Sequence, residues 1–90
     1  MAAISVYFYQ NVLCTGDPKV VKTRLTQDGK LPVASLKEEL GVRTLKEIEN
    51  GKAYIIGADE HGVSLNSFTG KTVIKVTGEP KGMSLNIVKM

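Results

Sequence analysis

Apolar residues recur at every second position in AISVYFYQNVL, residues 3–13. Ile4, Val6, Phe8 and Val12 fall on one side of an extended chain, and Ser5, Tyr7, Tyr9 and Asn11 on the other. That alternation, built largely from β-branched and aromatic residues, predicts a strand. TGDP (15–18) is a turn cluster, and KVVKTRLT (19–26) predicts a second strand. Val21, Thr23 and Leu25 share one of its faces, while Val20, Lys22, Arg24 and Thr26 share the other. The short linkage makes these two strands an antiparallel hairpin. QDGK (27–30) then turns the chain.

Between Val33 and Asn50 the period changes. VASLKEELGV places Val33, Leu36 and Leu40 on one side of a helix. Ser35 and Glu38 have the spacing of a capping box, and Gly41 is placed to stop the helix. Thr44 and Glu47 repeat the box ahead of LKEIENG, so the region reads as two short helical pieces split at Gly41. From Ala53 the strand pattern returns in AYIIGA (53–58), VSLNSF (63–68), KTVIKV (71–76) and MSLNIVK (83–89). The turn signals DEHG, TG and GEPKG separate them, and such close spacing favours an antiparallel meander.

The expected architecture is therefore α+β and sheet-dominated, in the order β-β-α-β-β-β-β, as a single domain over 1–90. Either a small barrel or a β-grasp-like arrangement fits that order. The helical piece would cover one face or plug one end. The expected core is Ile4, Val6, Phe8, Val21, Leu25, Leu36, Leu40, Leu45, Ile48, Ile56, Leu65, Ile74, Val76, Leu85 and Ile87.

Bulk properties narrow the function. The apolar fraction of 42% suits a folded domain, and no apolar run is long enough to span a bilayer. The start, MAAISVYFYQ, lacks the basic and long apolar regions of a secretory signal, which with one cysteine, Cys14, leads to a cytoplasmic expectation. One cysteine and one histidine, His61, supply neither a disulfide nor a zinc ligand set, so no metal and no cofactor is expected. The net charge is +3, spread as +2 over residues 1–45 (six basic, four acidic) and +1 over 46–90 (six basic, five acidic). No basic tail results, and contact with an anionic partner is permitted rather than demanded.

The motifs that resemble chemistry dissolve on inspection. Gly70-Lys71-Thr72 is how a phosphate loop ends, but the first glycine of that loop should fall at position 65, which is Leu65, and a strand pattern follows instead of a helix. Thr69-Gly70 reads as a turn. DEHG (59–62) holds two acids and the only histidine, yet a solvated loop tip gives a titrating group neither pocket nor perturbation. Cys14 has no second histidine as a base and reads as an inert, partly buried thiol. Glu38, Glu39, Glu47 and Glu49 interleave with Lys37, Arg43 and Lys46 as on a solvated helix face. An enzyme is not expected, and no catalytic residue is assigned.

Two binding surfaces stand out. Tyr7 and Tyr9 on the polar side of the first strand, with Lys22 and Arg24 on that of the second, would form an aromatic and basic patch if the register pairs those faces. Lys71, Lys75 or Lys89 would extend it. Single-stranded nucleic acid is bound with such groups, rings stacking on bases and cations meeting phosphates. The last strand offers an edge, with Leu85 and Ile87 on one face and Ser84, Asn86 and Val88 on the other, for another protein or another copy of the chain.

LPVASLKEELGV (31–42) resembles the first helix of the β-grasp, ubiquitin-like sulfur carriers, which enters after a hairpin. TLKEIENGKAYII (44–56) is similar to the strand approach in that superfamily. The resemblance implies a β-grasp-like fold. The carriers are activated at a C-terminal Gly-Gly, whereas this sequence ends Val88-Lys89-Met90, so carrier function is not implied. The expected function is non-catalytic binding to protein or self. The alternative is single-stranded nucleic-acid binding through Tyr7, Tyr9, Lys22 and Arg24, and no membrane partner is expected.

Overall fold

The computed structural model describes residues 2–81. The first alternating stretch forms strand β1 (Ala3–Phe8), and the second forms β2 (Lys19–Arg24). They pair antiparallel with Val6 opposite Val21 and Tyr7 opposite Val20, and the Leu25 N–H continues the ladder to the Ala2 carbonyl at 2.9 Å. β1 stops at Phe8 rather than running to residue 13. Asn11 Oδ1 accepts the Leu13 N–H at 3.0 Å, and Cys14 adopts φ 57°. The side chain offers the backbone a local partner that competes with the ladder, and the left-handed residue cannot continue an extended chain.

Helix α1 (Val33–Leu40) buries Val33 and Leu36 and half-buries Leu40. The capping box does not form. Pro32 occupies the N-cap, and Ser35 already lies inside the first turn, where it makes no cap hydrogen bond. The C-terminus follows expectation. Gly41 takes φ 70°, and the N–H groups of Gly41 and Val42 reach back to the Glu38 and Lys37 carbonyls.

The second helical piece is a correction. Residues 44–50 give strand β3 (Lys46–Glu49), which folds back on β4 (Lys52–Ile55). Asn50 and Gly51 take φ 54° and 76°, the two left-handed positions of a tight hairpin turn, and Asn-Gly suits that turn better than any other pair. Leu45 and Ile48 are too few to bury a helix there. The supposed second box is used otherwise: Thr44 Oγ1 accepts the Glu79 N–H at 3.1 Å, and the Glu47 carboxylate meets Lys71 at 3.0 Å.

The stretch 63–68 is irregular rather than a strand, with isolated bridges from Ser64 to Ala58 and from Ser67 to Lys30. It runs back beside residues 29–31, where the Ser64 N–H donates to the Leu31 carbonyl and the Phe68 N–H to the Gly29 carbonyl. This long return frees strand β5 (Val73–Thr77) from pairing with β4. β5 enters the middle of the sheet, parallel to β1 and antiparallel to β3, in the order β2-β1-β5-β3-β4. The expected antiparallel meander is thus a five-stranded mixed sheet, and among the described residues β2 and β4 are its edges and no barrel closes. The strand expected at 83–89 lies outside the described residues.

The core lies between α1 and one face of the sheet. Ile4, Val6, Val21, Ile74 and Val76 cluster there with Val33, Leu36 and Leu45. Phe8, Leu40 and Ile56 pack at its margin. Leu31, Val42 and Phe68 are also buried, and each sits in or beside a loop that closes the core. Leu65 is the reverse case, 61% exposed, because residues 63–68 do not alternate as a strand. Ile48 is half-buried, and Leu85 and Ile87 lie outside the described residues. Gly78 marks the closest backbone approach: a Cβ there would stand 2.0 Å from the Thr44 carbonyl oxygen.

Candidate binding face

α1 covers the Ile4 and Val6 side of the sheet, and no element among the described residues covers the opposite side. Directly paired residues share a face, so the register assigns its members. Ser5 opposes Lys22 on β2 and Val73 on β5, Tyr7 opposes Val20 and Lys75, and Ala3 opposes Arg24. On the other half, Lys46 opposes Thr77 of β5 and Ile55 of β4, and Ile48 opposes Ala53.

Four cations, Lys22, Arg24, Lys46 and Lys75, therefore occupy strand positions of one face. The carboxylates of β3, Glu47 and Glu49, fall on the other side, Glu47 opposite the buried Val76. None of the four cations has an ion-pair partner among the described residues. Between them lie exposed aliphatic groups: Val20 is 46% exposed, Val73 52% and Ile55 70%. Tyr7 sits at the centre, half-buried.

The structure brings Tyr7, Lys22 and Arg24 onto this face, and α1 does not cover it. Lys22 is diagonal to Tyr7, a separation of about 7–8 Å in such ladders. Tyr9 lies beyond the end of β1, although its N–H still donates to the Val76 carbonyl at 2.8 Å. Lys75 joins the patch. Lys71 does not: it stands 5.4 Å over the Phe68 ring and pairs with Glu47, on the helix side. Lys46 and Ile55 are members that sequence reasoning missed: residues 44–50 read as helix, so Ile55, in a stretch expected as strand, had no β3 partner to place it on this face. The Asn50-Gly51 pair was the signal that could have found them. Lys89 and the edge residues Ser84, Asn86 and Val88 lie outside the described residues.

The remaining candidates lie in turns and loops. Thr69 and Gly70 form a turn closed by the Lys71 N–H to the Phe68 carbonyl at 3.1 Å, with Gly70 at φ 89° and a strand after it. Asp59 Oδ1 accepts the N–H groups of His61 at 2.8 Å and Val63 at 3.3 Å, making DEHG a self-contained turn. Burial alone would raise the Asp59 carboxyl. Those two N–H bonds, helped by the charges of His61 and Lys30, outweigh it and hold the group below the usual aspartate range. Glu38 is likewise held below the usual range by the hydrogen bond and charge of Lys81. Cys14 is half-buried in its loop.

A shallow depression of about 130 Å3 lies between Leu25, Gly29 and Gly70. Small-molecule pockets run to roughly 300–1,000 Å3. No group of three or more histidine, cysteine or acidic side chains is gathered among the described residues. No helix among them is long and apolar enough to cross a membrane. Comparison with protein families, curated proteins and solved structures finds no match to this chain.

Proposed function

We propose that this chain is a non-catalytic, β-grasp-like module that binds an acidic protein segment on the open face of its sheet. The observation that carries the reading is the single sign of that face: four unpaired cations and no strand carboxylate, set among exposed aliphatic side chains. Such a face attracts an anionic partner and adds apolar contact once the partner is seated. The β-grasp-like part is supported by the hairpin that leads into α1 and by β5 returning parallel to β1 at the sheet centre.

A protein partner is preferred because the apolar groups are aliphatic. Val20, Val73 and Ile55 suit leucine and isoleucine side chains, whereas sequence-tolerant nucleic-acid binding relies on successive aromatic rings. Nucleic acid remains the second reading, favoured by Tyr7 directly opposite Lys75 and diagonal to Lys22.

Amide NMR titrations separate the two, using a peptide of alternating Glu and Leu in one series and oligo-dT in the other. The protein reading expects peptide-induced shifts on residues 3–7, 20–24 and 73–75, weakening with salt and lost in Lys22→Ala/Arg24→Ala. Shifts from oligo-dT alone would transfer the face to nucleic acid. Silence toward both would remove it as a binding site.

A further inference from the structure

The two edges of the sheet are built differently. The Leu25 N–H bonds the Ala2 carbonyl, and the Ile56 N–H bonds the Leu45 carbonyl at 2.8 Å. Because an antiparallel ladder alternates, these two bonds identify which residues of each edge strand turn their amides outward. On β2 they are Val20, Lys22 and Arg24, and on β4 they are Ala53 and Ile55.

A second copy of β2 would set cations along its own cationic row. Among the described residues β4 has no such cationic row, its one charge being Lys52 at its start. Ala53-Tyr54-Ile55-Ile56 carries no charge and no proline, and its pairing with β3 is regular, without a bulge. Tyr54 is 53% and Ile55 70% exposed. Edge strands are ordinarily blunted by charge, proline or a bulge along their length; here the one charge is Lys52 at the start of the strand, and the shortness of β4 limits the strength of pairing. Beyond Ile55 the edge closes, because the Leu65 N–H occupies the Gly57 carbonyl at 3.0 Å.

The geometry points to a two-fold dimer in which β4 pairs antiparallel with β4 of a second copy about an axis at Tyr54. In that register Ala53 faces the second copy's Ile55, and Ile55 its Ala53. Both are outward residues, so the free amide groups of each edge find partners in the other. Tyr54 meets its own counterpart in the closer, non-hydrogen-bonded pair, and Lys52 faces Ile56 rather than another lysine.

The occupant is a second copy because the open edge is symmetric about Tyr54 and therefore self-complementary. The two five-stranded sheets become continuous, and their cationic faces lie side by side. An edge this short makes a weak, concentration-dependent dimer.

Sedimentation equilibrium and amide exchange on the whole chain, over a wide concentration range, test this. The mass is expected to climb toward twice the monomer value. Exchange at Ala53 and Ile55 should slow with concentration, while that at Lys22 and Arg24 does not. Ile55→Lys should abolish the dimer while the monomer stays folded, with at most a small drop in its unfolding midpoint from the lysine set opposite Lys46. Ala53→Pro, which deletes only an outward N–H, serves as the second variant and should do the same. Val20→Lys on the opposite edge should leave the dimer intact. A monomer at every concentration, a dimer with Ala53 and Ile55 unprotected, or dimeric forms of both β4 variants would each overturn the proposal.

Discussion

Leu31 donates its N–H to Ser64 Oγ at 2.9 Å, and Ser64 returns its own N–H to the Leu31 carbonyl at 2.8 Å. Both residues are fully buried, and the Ser64 hydroxyl also donates to the Asn66 carbonyl at 2.6 Å. One hydroxyl thus fastens the long 56–72 return to the start of α1. Ser64→Ala leaves the buried Leu31 N–H without an acceptor, a loss of about 1–3 kcal/mol. Urea unfolding should show a lowered midpoint with an unchanged slope. An unchanged midpoint would mean that this clasp contributes nothing.

Gly78→Ala tests a purely steric requirement. Gly78 needs no left-handed backbone, yet its Cβ would fall 2.0 Å from the Thr44 carbonyl oxygen, which is main chain and cannot swing away. Gly16 is the control, with φ 78° and open space around it. Gly16→Ala should cost about 1–2 kcal/mol of backbone strain. Gly78→Ala should cost clearly more, because β5 and the segment before β3 must separate. Equal thermal midpoints for the two variants would contradict the packing described for residue 78.

Asn50→Ala should weaken the β3–β4 hairpin. Asn50 holds φ 54°, a conformation that asparagine tolerates and that costs alanine roughly 1–2 kcal/mol. Amide exchange should quicken at Tyr54 and Ile56, whose N–H groups face β3, while β1 and β2 stay protected. Uniform quickening throughout the sheet would show that the hairpin has no local stability of its own.

Asp59 makes stability depend on acid. Its folded carboxyl is held below the usual aspartate range, so the unfolded chain takes up this proton first as pH falls. The contribution is complete above the ordinary aspartate pKa and is lost as pH falls through the lower, folded value. Asp59→Asn keeps an acceptor for His61 and Val63 but removes the titration. The wild-type protein should melt above the variant at neutral pH, and the gap should close in strong acid. A gap that is constant with pH would place the effect outside this carboxylate.

The unpaired cations of the open face should repel one another. Added salt is expected to raise the thermal midpoint modestly as it screens them. Lys75→Thr should make that rise smaller, with little loss of fold, because Lys75 is exposed. A salt response unaltered by this change would indicate that the four charges do not act as one field.

Local pattern alone determined several parts of this protein. Two-residue alternation placed the first hairpin and assigned Ile4, Val6 and Val21 to the core and Tyr7, Lys22 and Arg24 to the other face. Val33, Leu36 and Leu40 located the helix, and Gly41 ended it. These features depend on neighbours in the chain, so they can be read from it. Tertiary structure decided the rest. Residues 46–49 have too few apolar positions to reveal a period, and their pairing with β4 and β5 made them strand. Leu65 alternates with polar neighbours as a strand residue would, but the Ser64–Leu31 clasp turned it outward. Where β5 inserts depends on a return of more than a dozen residues, and short-range pattern carries no information about which partner a strand meets after so long a loop. The single sign of the open face followed from that insertion. It gathered Lys22, Arg24, Lys46 and Lys75 from three strands onto one surface, although the charge along the chain is nearly even.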